Sequence, residues 1–186
     1  MTKTHKIILP IITIIFILFF GWSTSNAQTI EKLTEQLRQV ESLPSGSVFQ
    51  FYLTDQDATD AAEETLDRYM DSIQNMVQQA IGIRLDFSDP NINFDDDRIV
   101  VSIRGGLGFL KITVSASGRA SWDVATQTLL VDIQSVDIPV ISVNPTEVNS
   151  YIQGPVNDMI HKMMSGYQIL SFNIYDGYAV VEARKL

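Results

Sequence analysis

The sequence predicts an α+β domain in which a curved antiparallel sheet is covered by two amphipathic helices, one of them long. Three observations carry that expectation. Apolar and polar residues alternate through the middle of the chain, the period of a strand with one covered face. Two stretches flanking that middle instead space their apolar residues three and four apart, the period of a helix. The resulting order (strand and helix, several strands, then helix and hairpin) is segregated, as in α+β domains.

A segment of another kind stands in front. Lys3, His5 and Lys6 precede a nearly unbroken apolar run from Ile7 to Trp22, and small residues follow at Ser25 and Ala27. This is the three-part pattern of an export signal cut after Ala27. Retention as a membrane anchor is the alternative: the sixteen residues of that run make about 24 Å of helix, a little short of a ~30 Å hydrocarbon layer. Either outcome exports the rest of the chain, whether periplasmic, extracellular or tethered to the outer face of the cytoplasmic membrane. The expected organisation is 1–27 as signal or anchor, 28–46 as short helix and linker, and 47–186 as one α+β domain, too short for two full cores.

Within 28–46, Ile30, Leu33, Leu37 and Val40 share one helical face before Leu43-Pro44-Ser45-Gly46 breaks it. Ser47 to Thr54 reads as a strand. Asp55 or Asp57 then suits the cap of a long helix reaching about Ala80, with Leu66, Tyr69, Met70, Ile73, Met76 and Val77 on its apolar stripe. Ile83 to Phe87 alternates, Ser88-Asp89-Pro90-Asn91 reads as a turn, and Asp95-Asp96-Asp97 as another. Ile99, Val101 and Ile103 share a face, as do Ile112, Val114 and Ala116, with Gly105-Gly106-Leu107-Gly108 as a bend or bulge between them. A further strand spans Thr128 to Ile138. Asn144 and Pro145 open the second helix, whose stripe includes Val148, Ile152, Val156, Met159, Ile160 and Met163. Asp176-Gly177 joins the closing hairpin.

Charge and composition remove several function classes. The chain holds 13 Lys/Arg and 22 Asp/Glu, and setting Lys3 and Lys6 aside with the leader leaves a net charge of −11. Such a domain has no electrostatic grip on nucleic acid, and any lipid contact must be mainly hydrophobic. Cysteine is absent, which excludes disulfides, thiolate nucleophiles, Cys-ligated zinc and a lipoprotein anchor. The acids Asp86, Asp89, Asp95, Asp96 and Asp97 lack the order of a calcium loop and read as solvated turns. The Gly105–Gly108 run has no Lys-Ser/Thr after it, so it is no phosphate loop. His161 stands without a partner histidine once His5 leaves with the leader. No serine-nucleophile elbow or zinc-protease motif occurs. The expectation is a protein without catalytic residues, metal or cofactor.

Methionine usage points elsewhere. Beyond Met1, all five methionines (Met70, Met76, Met159, Met163, Met164) fall on the two helices. Flexible, polarizable thioethers suit a surface that accommodates varied apolar shapes, and they suit an irregular filled core equally well.

The residue order resembles a known family, the bacterial exported proteins with an LmeA-like phospholipid-binding domain. The likeness lies in Phe51-Tyr52-Leu53-Thr54 leading into a helix, in Asp95-Asp96-Asp97-Arg98-Ile99-Val100-Val101-Ser102, and in Val114-Ser115-Ala116-Ser117-Gly118. It continues through Leu129–Val136 with Ile138-Pro139 and closes with Ser171–Val181. It spans Ser47 to Leu186, and departs from the family at the long first helix and at Asp137, where the family carries a glycine pair. The resemblance implies a fold like the tubular lipid-binding superfamily, with lipid tails between a long helix and a curved sheet, and it transfers no site residue by motif. The functional expectation is a non-enzymatic binder of phospholipid or fatty acid, associated with the membrane, if at all, through its N-terminal segment. Met70, Ile73, Val77, Met159 and Met163 from the helices, with Ile112 and Val114 from the sheet, are the candidate lining. The alternative is a cell-envelope structural or protein-interaction module without a ligand.

Overall fold

Capping and alternation meet at the first strand–helix junction. The computed structural model describes residues 35–36, 38–81, 84–107, 110–139 and 141–186, so the leader and the start of the short helix lie outside the described residues. β1 (Val48–Thr54) runs directly into α1 (Asp55–Ile81). The cap is Thr54, not the expected Asp55 or Asp57. The Asp57 N–H donates to Thr54 Oγ1 (3.1 Å), while the Asp57 carboxylate accepts from the Thr54 hydroxyl (2.7 Å) and N–H (3.1 Å). This is a reciprocal capping box built with aspartate. Asp55 is engaged elsewhere, accepting from the Phe94 N–H at 2.7 Å.

The remaining elements are β2 (Asp86–Asp95), β3 (Arg98–Leu107), β4 (Leu110–Asp123), β5 (Thr128–Ile138), β6 (Ile141–Ser142), α2 (Pro145–Met163), β7 (Tyr167–Tyr175) and β8 (Tyr178–Lys185). They overturn the expected fold class. The protein is mostly strand, and its strands form two antiparallel sheets, β1-β8-β7 and β2-β3-β4-β5-β6, instead of one curved sheet under two helices. Alternation reveals that a strand has a covered face, but not which strand it pairs with. Here β1 and the closing hairpin pair with each other, from Val48↔Arg184 to Thr54↔Tyr178, and so leave the main sheet.

Two local expectations also fail. The Ser88–Asn91 turn is a bulge within β2, with Asp89 at φ 50°. Gly105 and Gly106 are not a bend or bulge either: they lie inside β3, opposite Ile112 and Lys111. A Cβ on Gly105 would sit 3.4 Å from Ile112 and 3.6 Å from Phe87, ordinary contacts that leave the strand regular there. The short N-terminal helix ends on the domain. Val40 is buried, and Lys185 Nζ donates to the carbonyls of Glu41 (2.7 Å) and Leu43 (2.9 Å).

The two long helices meet the five-stranded sheet at its edges. Along β2, Thr59 Oγ1 accepts from the Ile92 N–H (3.0 Å) and donates to the Ile92 carbonyl (3.3 Å). The Phe94 N–H goes to Asp55, and the Phe94 carbonyl accepts from Gly177 N–H in the β7–β8 turn (2.9 Å). Pro90, further along, has no N–H to satisfy. Alanines at 58, 61 and 62, all fully buried, let the α1 backbone approach this closely.

Along β5 the helix supplies amides. Asn149 accepts from the Ile133 N–H (2.6 Å) and donates to its carbonyl (3.2 Å). Asn157 does the same for Leu129 (2.7 and 3.0 Å). Between them, Gln153 accepts from the Val131 N–H (3.0 Å) and donates to the Leu129 carbonyl. Beyond Ile133, β6 takes over the edge at Asp137 and Ile138.

Thr59→Val tests the sealing directly, because it removes one oxygen at nearly constant volume. It leaves the N–H and carbonyl of Ile92, a 3 % exposed residue, without their partner. Unmet buried groups cost about 1–3 kcal/mol, so the urea midpoint should fall accordingly at unchanged m. A shift below about 0.5 kcal/mol would show that the contact contributes nothing to stability.

Candidate functional site

The covered face of the five-stranded sheet is set by β4 and β5. On β4 the even-numbered side chains face inward, from Ile112 and Val114 through Ala116, Gly118 and Ala120 to Trp122. On β5 the inward residues are Leu129, Val131 and Ile133, then Val136 and Ile138. The register slip opposite Ser117/Gly118 inserts Gln134 and re-phases the strand by one residue. Without that bulge Val136 and Ile138 would face solvent.

Two separate apolar cores form on this face. One joins Ala58, Ala62, Leu66 and Ile73 of α1 to Phe87, Ile92, Phe94, Ile99, Val101 and Ile103 of β2 and β3. The other joins Val148, Ile152 and Val156 of α2 to Ala116, Leu129, Ile133 and Ile138. Three half-buried residues, Val114, Ala120 and Phe172, pack against both. They mark a seam between the cores. Tyr69 and Met70 stand on the α1 side of it, and Trp122, Val131 and Ile160 on the α2 side.

The three-stranded sheet enters the seam through β7. Trp122 Nε1 and Gln127 Nε2 both donate to the Ile169 carbonyl, each at 3.1 Å. That carbonyl adjoins the Ile169/Ser171 bulge of β7. The contact fixes β7 against β4 with Phe172 between the two cores.

Of the candidate lining residues, the structure brings together Met70, Ile73 and Val114 in the first core, with Ile73 fully buried and the other two partly so. Ile112 is half-buried against Gly105, where Phe87 also approaches. The side chains of Val77, Met159 and Met163 lie outside the described residues. Ala120, Trp122 and Phe172 were missed. Extending the β4 alternation beyond Ala116 would have found the first two; Phe172 needed knowledge of which sheet the last hairpin joins.

Chemically the seam is mainly hydrocarbon and aromatic surface, and the Trp122 and Gln127 donors beside it are committed to Ile169. Among the described residues, no three His, Asp or Glu side chains gather where a metal ion would be held. Of the acids expected in solvated turns, Asp86 and Asp89 lie within β2, where Asp89 pairs with Arg104 (3.2 Å) and Asp86 accepts from Gln74 (2.9 Å). Asp123 closes the β4–β5 turn. The Thr126 hydroxyl, then the Ala125 N–H, hold its carboxyl below the ordinary carboxylate range. Its contribution is therefore present above the ordinary value and fades as pH falls through the lowered one.

Gly118 sits on the floor of the second core where β4 crosses the bulge. A Cβ there would stand 2.6 Å from the Asp132 carbonyl oxygen and 2.9 Å from Ile133 Cα, both backbone. Gly118→Ala should destabilise by about 1–3 kcal/mol, whereas Gly106→Ala, whose Cβ meets only ordinary contact, should be within about 0.5 kcal/mol of wild type. Thermal melts of the two variants decide it, and equal losses would refute the close approach.

The chain matches no protein-family model and no curated protein sequence.

Proposed function

We propose that this is an exported, non-enzymatic lipid-binding protein, holding an acyl chain of a phospholipid or fatty acid along the seam between its two cores. The observation that supports this reading is the division of the sheet's covered face. Two helices each bury their own patch, and the apolar residues between the patches stay half-buried with small side chains, Ala116, Gly118 and Ala120, beneath them. Half-buried apolar surface is what a hydrocarbon guest covers. Each methylene removed from water contributes about 0.8 kcal/mol, so six of them approach ~5 kcal/mol without a charged contact. That suits a mature domain of net charge −11, which repels anionic head groups over a distance.

Two measurements test the proposal. Mass spectrometry of organic extracts from mildly purified protein should find bound phospholipid or fatty acid. Ala120→Leu and Phe172→Trp, each adding volume in the seam, should weaken binding of a fluorescent fatty acid by about tenfold, the loss of one to two buried methylenes. Leu130→Trp lies on the opposite face of β5 at a 49 % exposed position and should leave affinity unchanged. Folded seam variants that bind as well as wild type would remove the seam from consideration.

A further inference from the structure

The five-stranded sheet has helix side chains along both edges, but among the described residues β1 has no such cover. The ladder between β1 and β8 places its ends at Ser47, whose carbonyl accepts from Lys185 N–H (3.0 Å), and at Asp55, whose N–H donates to Gly177 (3.1 Å). Antiparallel bonding alternates, so odd-numbered residues of β1 bond β8, and the N–H and carbonyl groups of Val48, Gln50 and Tyr52 point away from the sheet. No backbone partner for them occurs among the described residues. Thr54 is the exception, since its N–H is already taken by Asp57. The strand reads Val-Phe-Gln-Phe-Tyr-Leu-Thr, with no charge and no proline, so it lacks the usual devices that blunt an exposed edge. It is also held rigid from behind. Phe49 packs edge-on to Phe51 at 5.0 Å and to Tyr167 at 5.5 Å on the half-buried face.

We propose that this edge receives a second copy of the chain, β1 against β1, antiparallel about a two-fold axis through Gln50. Self-pairing in that register sets Gln50 opposite Gln50 and Val48 opposite Tyr52 of the second copy, twice. All three residues with outward-pointing backbone groups are then matched, and Thr54 falls outside the ladder. The same register treats the side chains. Val48 and Tyr52 are 51 % and 50 % exposed, and directly opposed residues of a ladder project on the same face, so each covers the other across the interface. A foreign strand would satisfy the backbone equally, and the second copy carries the same net charge of −11, a repulsion that salt screens; the mutual cover of Val48 and Tyr52 is what favours the copy. The copy brings an uncharged strand whose spacing already fits. One pair of edge strands covers less than the roughly 1,200–2,000 Å² of a tight dimer. The association is therefore a weak one, favoured where copies are concentrated.

The absence of cysteine allows a direct test with the full chain recovered from an exporting host. Residues opposed as a hydrogen-bonded pair have Cα atoms about 5.5 Å apart, inside the ~4.4–6.8 Å range that a disulfide spans. Gln50→Cys should therefore give a covalent dimer on mild oxidation, read on a non-reducing gel. Val48→Cys alone should not, because its own copy lies four residues along the strand, about 13 Å away. Mixed Val48→Cys and Tyr52→Cys chains should cross-link with each other. Adding Tyr52→Lys to Gln50→Cys should slow cross-linking about tenfold, since two lysines then meet the interface. The proposal is overturned if Gln50→Cys stays monomeric, or if it cross-links no faster than Leu130→Cys at an exposed position of β5. Either result would hold whether or not the seam binds lipid.

Discussion

A primary amide carries one donor and one acceptor in the arrangement of a peptide group, and the β5 edge depends on that likeness. Asn149 and Asn157 each hold both backbone groups of one β5 residue, as a neighbouring strand would. The match extends along the elements because of their rises. Four helical residues advance about 6 Å and two strand residues about 6.8 Å. A helix with amides at i, i+4 and i+8 can therefore follow alternate residues of a strand, here Ile133, Val131 and Leu129 in descending order. At β2 a hydroxyl and a carboxylate do the same work through Thr59 and Asp55. An edge sealed this way closes to foreign strands without extending the sheet.

Placing the helices at the edges decides what happens between them. A helix laid over the middle of a five-stranded sheet would cover its central strand. Here α1 buries its alanine-rich face on β2 and β3, α2 buries Val148, Ile152 and Val156 on β5, and β4 lies between the two territories. Large residues on β4 would force the helices apart, and small ones would leave a gap. The chain has Val114, Ala116, Gly118 and Ala120 there, with Phe172 brought across from the other sheet. The half-burial of Val114, Ala120 and Phe172 thus follows from edge capping, and the proposed ligand site is a consequence of the same constraint.

Much of this was legible in the sequence, and what was not had a physical cause. Strand and helix positions follow from period, and the Asn144–Pro145 start and the Asp176-Gly177 hairpin were read from local chemistry alone. The Asn144 side chain does cap α2, accepting from Thr146 N–H at 3.0 Å. The sheet partners were not legible, because hydrogen-bonded pairing between strands more than a hundred residues apart leaves no local trace. Nor were the edge contacts: Asn149, Gln153 and Asn157 occupy helical positions that a solvated face would fill with the same residue types. The Gln134 bulge was hidden because one skipped residue in Ile133-Gln134-Ser135-Val136 looks like imperfect alternation. Of the candidate lining, Met70, Ile73 and Val114 meet because each lies on a correctly assigned apolar stripe. Phe172 was missed because its role depends on long-range topology.

The contrast between sealed and open edges is sharper than either alone. At β2 and β5 a buried or half-buried backbone group is met by a side chain from a helix, with Asp55, Thr59, Asn149, Gln153 and Asn157 all committed to it. At β1 the residues with outward groups carry Val, Gln and Tyr, and the polar contacts there stay on the surface of the strand: Tyr52 donates to Gln50 at 2.7 Å, and Gln50 to Glu182 at 3.1 Å. These bonds run between exposed side chains and engage none of the outward backbone groups of Val48, Gln50 and Tyr52. A sheet of three strands is small for independent stability, and β1 holds its place through β8 and its own aromatic face. Extending it by a second copy would add strands where the sheet is thinnest, which is where added backbone pairing has the most to contribute.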